Sequence, residues 1–184
     1  MLKCAANEDS ITLRAEDDGD VVTLVFENSE ADRISEFELK LMDIDSDHLG
    51  IPDTDYKCKV KMPSGEFQRI VRDMAALGDT CTIGVTKEGI KFHVKGDIGT
   101  GSIIRKHNKA AEKEDEHTVI EMEEPTELTF ALRYLNYFTK ATPLSGQVVL
   151  NMTKDVPLVV SYRAENLGEM RFFLAPKIDE EATA

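Results

Sequence analysis

The chain has 184 residues, enough to bury a hydrophobic core, and its 35 Asp and Glu against 22 Lys and Arg give a formal net charge of −13. No apolar run approaches the length of a membrane-spanning helix, so no membrane partner is expected. Three cysteines, at positions 4, 58 and 81, lack zinc-ligand spacing and are typical of a reducing compartment. The acidic charge opposes nucleic-acid binding unless basic residues are concentrated on one face.

Three strands are predicted before residue 43. Residues 11–15 and 22–26 alternate apolar and polar side chains around an Asp- and Gly-containing turn at 17–20, the pattern of a β-hairpin. Residues 35–42 predict a further strand. From 43 to 56 the alternation stops and acidic residues, glycine and proline dominate, which indicates a linker.

The next block contains a strand, a helix and a second hairpin. Residues 57–61 predict the strand, and residues 63–66 open a helix in which Phe67, Ile70 and Met74 fall at helical spacing until Gly78 ends it. Segments 81–85 and 90–94 predict the hairpin. Another strand begins at Ile103, and we expect the charged stretch 106–117 to be a mobile loop.

A third block repeats this plan. We predict a strand at 119–122, a helix at 125–141 with four apolar residues on one face, a hairpin at 148–152 and 158–162, and a closing strand at 170–176. The apolar residues of that helix are Leu128, Leu132, Leu135 and Phe138. Because the three hairpins begin at 11, 81 and 148, the chain contains two full copies of a strand, a helix and three strands, and a first copy without its helix. The copies should pair helix beside helix.

Basic residues occupy the predicted solvent sides of both helices. Arg69 and Arg72 oppose the apolar stripe of the first helix, and Arg133 and Lys140 oppose that of the second. The acidic residues of the predicted helices fall mostly near the helix N-termini, where the helix dipole favours them: Glu66, Glu124 and Glu127. From spacing alone, an ordinary solvated face remains the commoner interpretation of so small a basic patch.

The linker holds apolar residues that need cover. Leu49 and Ile51 stand beside Pro52 in an acidic segment outside any periodic element. Either the chain's own sheet or a partner must cover them.

Signals for catalysis are weak. No Gly-rich phosphate loop, nucleophile elbow or helical His pair occurs in the sequence, and the acidic pairs at 123–124 and 180–181 are adjacent, as in solvated surface. The sequence therefore predicts no enzyme: no catalytic residues, no metal site and no cofactor.

Several long segments resemble one family. The linker LMDIDSDHLGIP (41–52), MPSGEF (62–67), TFALRYLNYFTKATP (129–143) and FLAPK (173–177) closely resemble eukaryotic DNA sliding clamps, the proliferating cell nuclear antigen family. The resemblance covers nearly the whole chain. It implies an α+β DNA-clamp fold, in which repeated strand-helix-three-strand units place helices on one face of antiparallel sheets. It also implies a homotrimeric ring without catalytic activity.

The resemblance also implies a division of the chain. Residues 1–42 would be a remnant of the N-terminal clamp domain, 43–56 the interdomain connector, 57–178 a complete C-terminal clamp domain and 179–184 a flexible acidic tail. Relative to the family the chain starts late in the first domain, so its first strands should expose apolar surface and the trimer should be weakened. The edge strands 35–42 and 100–105, which pair between subunits in the family, are both present.

The implied function is that of a nuclear DNA polymerase processivity factor. Such a clamp is opened by a clamp loader, encircles double-stranded DNA without sequence preference, and tethers DNA polymerases and other replication, repair and translesion-synthesis proteins that carry a short client motif. The alternative is a truncated non-ring module that binds client peptides but does not encircle DNA.

The resemblance assigns residues to three sites. The channel-lining positions that contact DNA are Lys3, Arg69, Arg72, Arg133 and Lys140. Ala76 stands where the family often has a histidine, and Lys87 matches the lysine that accepts ubiquitin. The client-peptide pocket corresponds to Met42, Leu49, Gly50, Ile51, Tyr56, Pro157, Phe173, Leu174, Ala175 and Pro176.

Overall fold

The computed structural model describes residues 2–30, 32–43, 54–110 and 116–177. The chain divides into two compact units, Met1–Pro52 and Asp53–Ala184.

The first unit is a three-stranded antiparallel sheet. A short 3-10 turn at Leu2–Cys4 precedes β1 (Ser10–Ala15), β2 (Val21–Asn28) and β3 (Arg33–Lys40), which pair in that order. Alternation places Ile11, Leu13, Leu24, Phe26 and Phe37 on one face, where Phe26 and Phe37 meet edge to face at 5.7 Å, while the buried Val25 lies on the other face. On β1, Ile11 and Leu13 are exposed, in agreement with the prediction that the first strands expose apolar surface.

Within the described residues, the second unit contains nine strands in two antiparallel sheets and two α-helices. A 3-10 turn at Thr139–Leu144 follows the second helix. The sheet orders are β12-β11-β10-β4-β8 and β7-β6-β5-β9. The elements are β4 (Cys58–Pro63), α1 (Ser64–Ala75), β5 (Thr80–Thr86), β6 (Gly89–Gly96), β7 (Gly99–Arg105), β8 (Val119–Met122), β9 (Thr126–Ala131), α2 (Leu132–Phe138), β10 (Gln147–Met152), β11 (Leu158–Ala164) and β12 (Gly168–Leu174).

Two copies of one plan interlock in this unit. Each copy is a strand, a helix and three antiparallel strands, β4-α1-β5-β6-β7 and β9-α2-β10-β11-β12. The strand before each helix joins the sheet of the other copy, because β4 pairs with β10 and β9 pairs with β5. The predicted repeat is confirmed, but the second copy begins with β9, and β8 adds to the free side of β4.

The prediction of a helix over 125–141 is wrong at its start. Thr126–Ala131 forms β9, and α2 covers only Leu132–Phe138. The same segment alternates with period two, since Thr126 and Phe130 are buried while Glu127 is exposed. Pairing with β5 favours the strand over the helix, because the ladder provides hydrogen-bond partners for the backbone N–H and C=O groups of the segment. Consequently Glu124 and Glu127 do not lie in the first turn of α2.

Both helices pack side by side over one core. Phe67, Ile70 and Met74 of α1 and Leu132 and Leu135 of α2 are buried in a cluster shared with both sheets. The two helical segments are also linked by a hydrogen bond of 3.1 Å, which the Gln68 side-chain amide donates to the Thr139 carbonyl. The predicted helix-beside-helix arrangement is confirmed, and the polar sides of both helices are left exposed.

The predicted α+β class with antiparallel sheets is confirmed. In the stretch 106–117, the backbone of Asn108 pairs with that of Thr118. Residues 111–115 and the tail from 178 lie outside the described residues, so mobility there stays a prediction.

Candidate nucleic-acid and peptide interfaces

The solvent side of α1 carries two arginines. Arg69 and Arg72 are exposed, opposite the buried Phe67 and Ile70, because a period of 3.6 residues separates the two sides of a helix. Glu66 in the first turn forms an ion pair of 2.7 Å with Arg105 of β7, so its charge is compensated locally.

The two arginines differ in their surroundings. The Arg72 guanidinium donates two hydrogen bonds, of 3.1 and 3.0 Å, to the Asp73 carboxylate, and both side chains are largely exposed. An exposed pair of this kind is weak and exchanges readily with water or another anion. No ion-pair partner of Arg69 is found in the described part of the chain, which leaves its charge available to a ligand.

Four side chains form a strip on the exposed side of α2 and the 3-10 turn after it: Arg133, Tyr134, Tyr137 and Lys140. The Arg133 guanidinium carbon lies 4.9 Å from the Tyr134 ring centroid, and an Arg133 Nη donates a hydrogen bond of 3.0 Å to the Tyr134 hydroxyl. That hydrogen bond raises the pKa of Arg133. The Lys140 ammonium lies 5.1 Å from the Tyr137 ring centroid.

Tyr134 and Tyr137 were not predicted as site residues. Their signal is present in the sequence, because the two tyrosines are three residues apart and Lys140 is three residues further on, a spacing that brings side chains together on a helix.

The exposed helix sides are therefore basic on an otherwise acidic molecule. Four cations lie there, on Arg69, Arg72, Arg133 and Lys140, against the exposed acid Asp73 of α1, which pairs with Arg72, while the chain as a whole carries −13. The remaining predicted DNA contact, Lys3, is exposed in the 3-10 turn of the first unit. Such a face can attract phosphate without offering any sequence-reading geometry.

The predicted peptide pocket is partly assembled by the β11–β12 pair. Phe173 pairs in register with Val159, and Pro157 directly precedes β11, where Leu158 faces Leu174 across the ladder. Phe173 and Pro157 are half-buried at this end of the pair. Leu174 instead packs against the core, because neighbouring residues of a strand point to opposite faces.

The chain after β12 is fixed by a backbone hydrogen bond. The Lys177 N–H donates to the Thr129 carbonyl of β9 at 2.7 Å, so Ala175 and Pro176 run from one sheet towards the other. Ala175 is exposed and Pro176 half-buried. Both can present backbone and side chain to a ligand.

Other predicted pocket residues precede β4. Tyr56 is half-buried, and its neighbour Lys57 forms ion pairs of 2.8 Å with Asp55 and 2.9 Å with Glu123. These partners raise the pKa of Lys57, so its ammonium stays charged and holds the segment against the end of β8. Met42 is exposed in the first unit, and Leu49, Gly50 and Ile51 lie outside the described residues.

Lys87 lies in the two-residue turn between β5 and β6 and is exposed. Gly89 follows with a φ of 156°, and a Cβ there would lie 3.0 Å or less from backbone atoms of Arg105. The close approach at Gly89 is therefore between β6 and β7, and the Lys87 side chain lies in solvent in the two-residue turn.

Within the described residues, no group of three or more His, Cys, Asp or Glu side chains is placed as metal ligands would be. No helix in the same part of the chain is long and apolar enough to span a membrane.

Two protein-family models match the chain. The model of the proliferating cell nuclear antigen C-terminal domain matches residues 50–177, and that of the proliferating cell nuclear antigen N-terminal domain matches residues 1–49. The matches are consecutive, and they include the three-stranded sheet and both helices.

Proposed function

The chain belongs to the proliferating cell nuclear antigen family of DNA sliding clamps, and from this premise we propose that it forms a homotrimeric ring around double-stranded DNA in the nucleus. The family is non-enzymatic and serves DNA replication and repair. In the proposed role the chain is a processivity factor that a clamp loader opens, and it tethers DNA polymerases and other proteins bearing a client motif.

The basic side of α1 and α2 carries this proposal. Its cations can contact phosphates through water-screened, exchangeable interactions that carry no sequence information. The acidic remainder of the chain keeps overall DNA affinity low. Retention then comes from the closed ring, and weak contacts allow sliding.

DNA binding tests the proposal through charge placement. We expect Arg69→Ala to make the negative slope of log K against log salt shallower by about 0.9, the value for one lost phosphate contact. Lys154→Ala removes the same charge in the exposed β10–β11 turn and should change the slope far less. Fluorescence anisotropy with two duplexes of unrelated sequence gives both slopes. Equal effects of the two variants, or a preference for one duplex, would contradict the proposal.

The edge strands support ring assembly. β3 and β7 each end a sheet, so within the described residues one side of each strand has no ladder partner. Residues 99–104 of β7 contain neither charge nor proline, the devices by which proteins usually protect an exposed edge. We propose that β7 of one subunit pairs with β3 of the next.

The non-ring client-binding module is the second candidate. The exposed apolar side chains of β1 favour it, because an uncovered sheet face weakens the unit that supplies β3. The mass in solution separates the two candidates. A trimer over a concentration series supports the ring, whereas a monomer that still binds client peptides supports the module.

The proposed client pocket is centred on Phe173, with Pro157 beside it and Ala175 and Pro176 following. An aromatic side chain of a client helix turn entering such an apolar surface would act as a binding hot spot. We expect Phe173→Ala to weaken the binding of a labelled client-motif peptide by roughly tenfold or more. Leu167→Ala, which truncates an exposed leucine in the β11–β12 turn, should leave binding unchanged. Equal losses in the two variants would argue against this pocket.

Lys87 is proposed as the ubiquitin acceptor that would connect the clamp to translesion synthesis. Its exposure in a tight turn is compatible with modification, since the side chain is accessible without unfolding β5 or β6.

A further inference from the structure

We propose that Tyr134 and Tyr137 are positioning residues for the DNA contact, holding the Arg133 guanidinium and the Lys140 ammonium on the exposed side of α2 and its following turn. This inference rests on the proposed DNA-binding function and extends it to two residues that contact the cations.

The contact between Arg133 and Tyr134 has two points. The guanidinium lies over the ring with its carbon 4.9 Å from the centroid, and one Nη donates to the hydroxyl at 3.0 Å. A ring face attracts a cation through its quadrupole, and the hydroxyl fixes the direction of the side chain. Arginine has five N–H donors, so donors remain for a phosphate.

The contact between Lys140 and Tyr137 repeats this device one helical turn later. The ammonium lies 5.1 Å from the ring centroid. The two tyrosine rings meet edge to face at 6.4 Å with an interplanar angle of 69°, so each ring restrains the other. The tyrosines are 41% and 53% exposed, so the cations they hold remain accessible to a ligand in solvent.

Positioning matters because lysine and arginine side chains lose rotamer freedom when they bind a phosphate. A cation already held against a ring has lost part of that freedom before DNA arrives. The rings should therefore raise affinity without adding phosphate contacts. This consequence separates a positioning residue from a contact residue.

Tyr137 gives the clearest test, because its ring contacts an ammonium without a hydroxyl bond to it. In the full chain, Tyr137→Leu should weaken duplex binding about two- to fivefold, as expected for the loss of one exposed cation–ring contact, and should leave the slope of log K against log salt unchanged. Tyr137→Phe should bind like the wild type. Lys140→Gln should make the negative slope of log K against log salt shallower by about one. In the Lys140→Gln background, Tyr137→Leu should cause no further loss, since nothing remains to be positioned.

A spectroscopic measurement checks the contact without DNA. The ε-methylene protons of Lys140 should be shifted upfield by the ring current of Tyr137 in a ¹H–¹³C spectrum. The Lys140→Gln variant identifies that signal by its disappearance. The shift should persist in Tyr137→Phe and be lost in Tyr137→Leu, while circular dichroism verifies that each variant folds.

The outcomes distinguish the two proposals. If Lys140→Gln is impaired and Tyr137→Leu binds like the wild type, the positioning role is overturned and the DNA contact stands. A fall in the salt slope of Tyr137→Leu also overturns it, because the tyrosine would then be a contact itself. If neither Arg133→Gln nor Lys140→Gln changes DNA binding, the proposed basic face fails together with the inference.

Discussion

The Asp9 carboxylate organises the start of the first unit. It accepts hydrogen bonds from the Ala6 backbone N–H at 2.9 Å, the Asn28 side-chain amide at 2.8 Å and the Arg33 guanidinium at 2.8 Å. These partners, first of all the Ala6 N–H, hold the pKa of Asp9 below its usual range. One side chain thereby connects the segment before β1 to the ends of β2 and β3.

We expect the Asp9→Asn variant to be less stable than the wild type at pH 7. Because the folded-state pKa is depressed, the carboxylate contributes stability above the unfolded pKa of about 3.9, and this contribution disappears as the pH falls through the folded value. Urea denaturation followed by circular dichroism should show a gap between variant and wild type at pH 7 that closes at acidic pH. Asp18→Asn, in the exposed β1–β2 turn, is the control, and a gap that persists in acid would refute this explanation.

Which residues are exposed could be predicted for the first helix but only in part elsewhere. The 3.6-residue period places Arg69 and Arg72 opposite Phe67, as the structure shows. Tyr134 and Tyr137 were missed because only charged side chains were taken to mark the exposed side of the second helix, although the two tyrosines are spaced to lie beside Arg133 and Lys140. The inward direction of Leu174 follows from the register of β12, which no local pattern specifies.

At the scale of elements, β9 shows why sequence periodicity can be ambiguous. Leu128, Leu132 and Leu135 recur at helical spacing, yet the first of them belongs to a strand. The Thr82 and Thr129 hydroxyls lie 2.9 Å apart across the β5–β9 ladder, a contact between residues distant in sequence. When a short segment fits both periods, such long-range pairing determines its secondary structure, and local sequence patterns do not reveal that pairing.

Gly96 allows the segment that follows α1 to approach β6. A Cβ at this position would overlap the Leu77 carbonyl oxygen and lie 2.7 Å from its carbonyl carbon, both backbone atoms. We therefore expect Gly96→Ala to destabilise the second unit by roughly 3 kcal/mol, the cost of forcing packed segments apart.

Gly65 provides the matched control for that substitution. It lies in the first turn of α1, and an added Cβ there would meet nothing within 4 Å. Gly65→Ala should stabilise the chain by about 0.5–1 kcal/mol, because alanine loses less backbone entropy in a helix. Urea midpoints monitored at the helical circular dichroism band measure both variants, and equal shifts would contradict the close approach at Gly96.

At the scale of the whole molecule, repetition was more predictable than connectivity. The spacing of the three hairpins gave the repeated plan, because each hairpin carries its own alternation and turn. The exchange of β4 and β9 between the two sheets could not be foreseen, since it is a long-range pairing. The concentration of positive charge on the exposed helix sides depends on this assembly as well.

The proposed pairing of β7 with β3 of a neighbouring subunit leads to a prediction about mass. Ile104 lies in β7 and is 57% exposed, in a stretch of edge strand without charge. Ile104→Glu adds a carboxylate that association would have to desolvate, and the two glutamates of β3, Glu36 and Glu38, would repel it. The trimer should therefore dissociate at concentrations where the wild type remains assembled.

Ile98→Glu makes the same change outside the strand. Ile98 is 77% exposed in the β6–β7 turn, so its variant should keep the wild-type mass at every concentration. Light scattering after size-exclusion chromatography compares the three proteins over a dilution series. If both variants dissociate alike, net charge rather than the β7 edge governs assembly. If Ile104→Glu stays trimeric, association must use another surface, because desolvating a carboxylate in an edge-to-edge ladder would be costly.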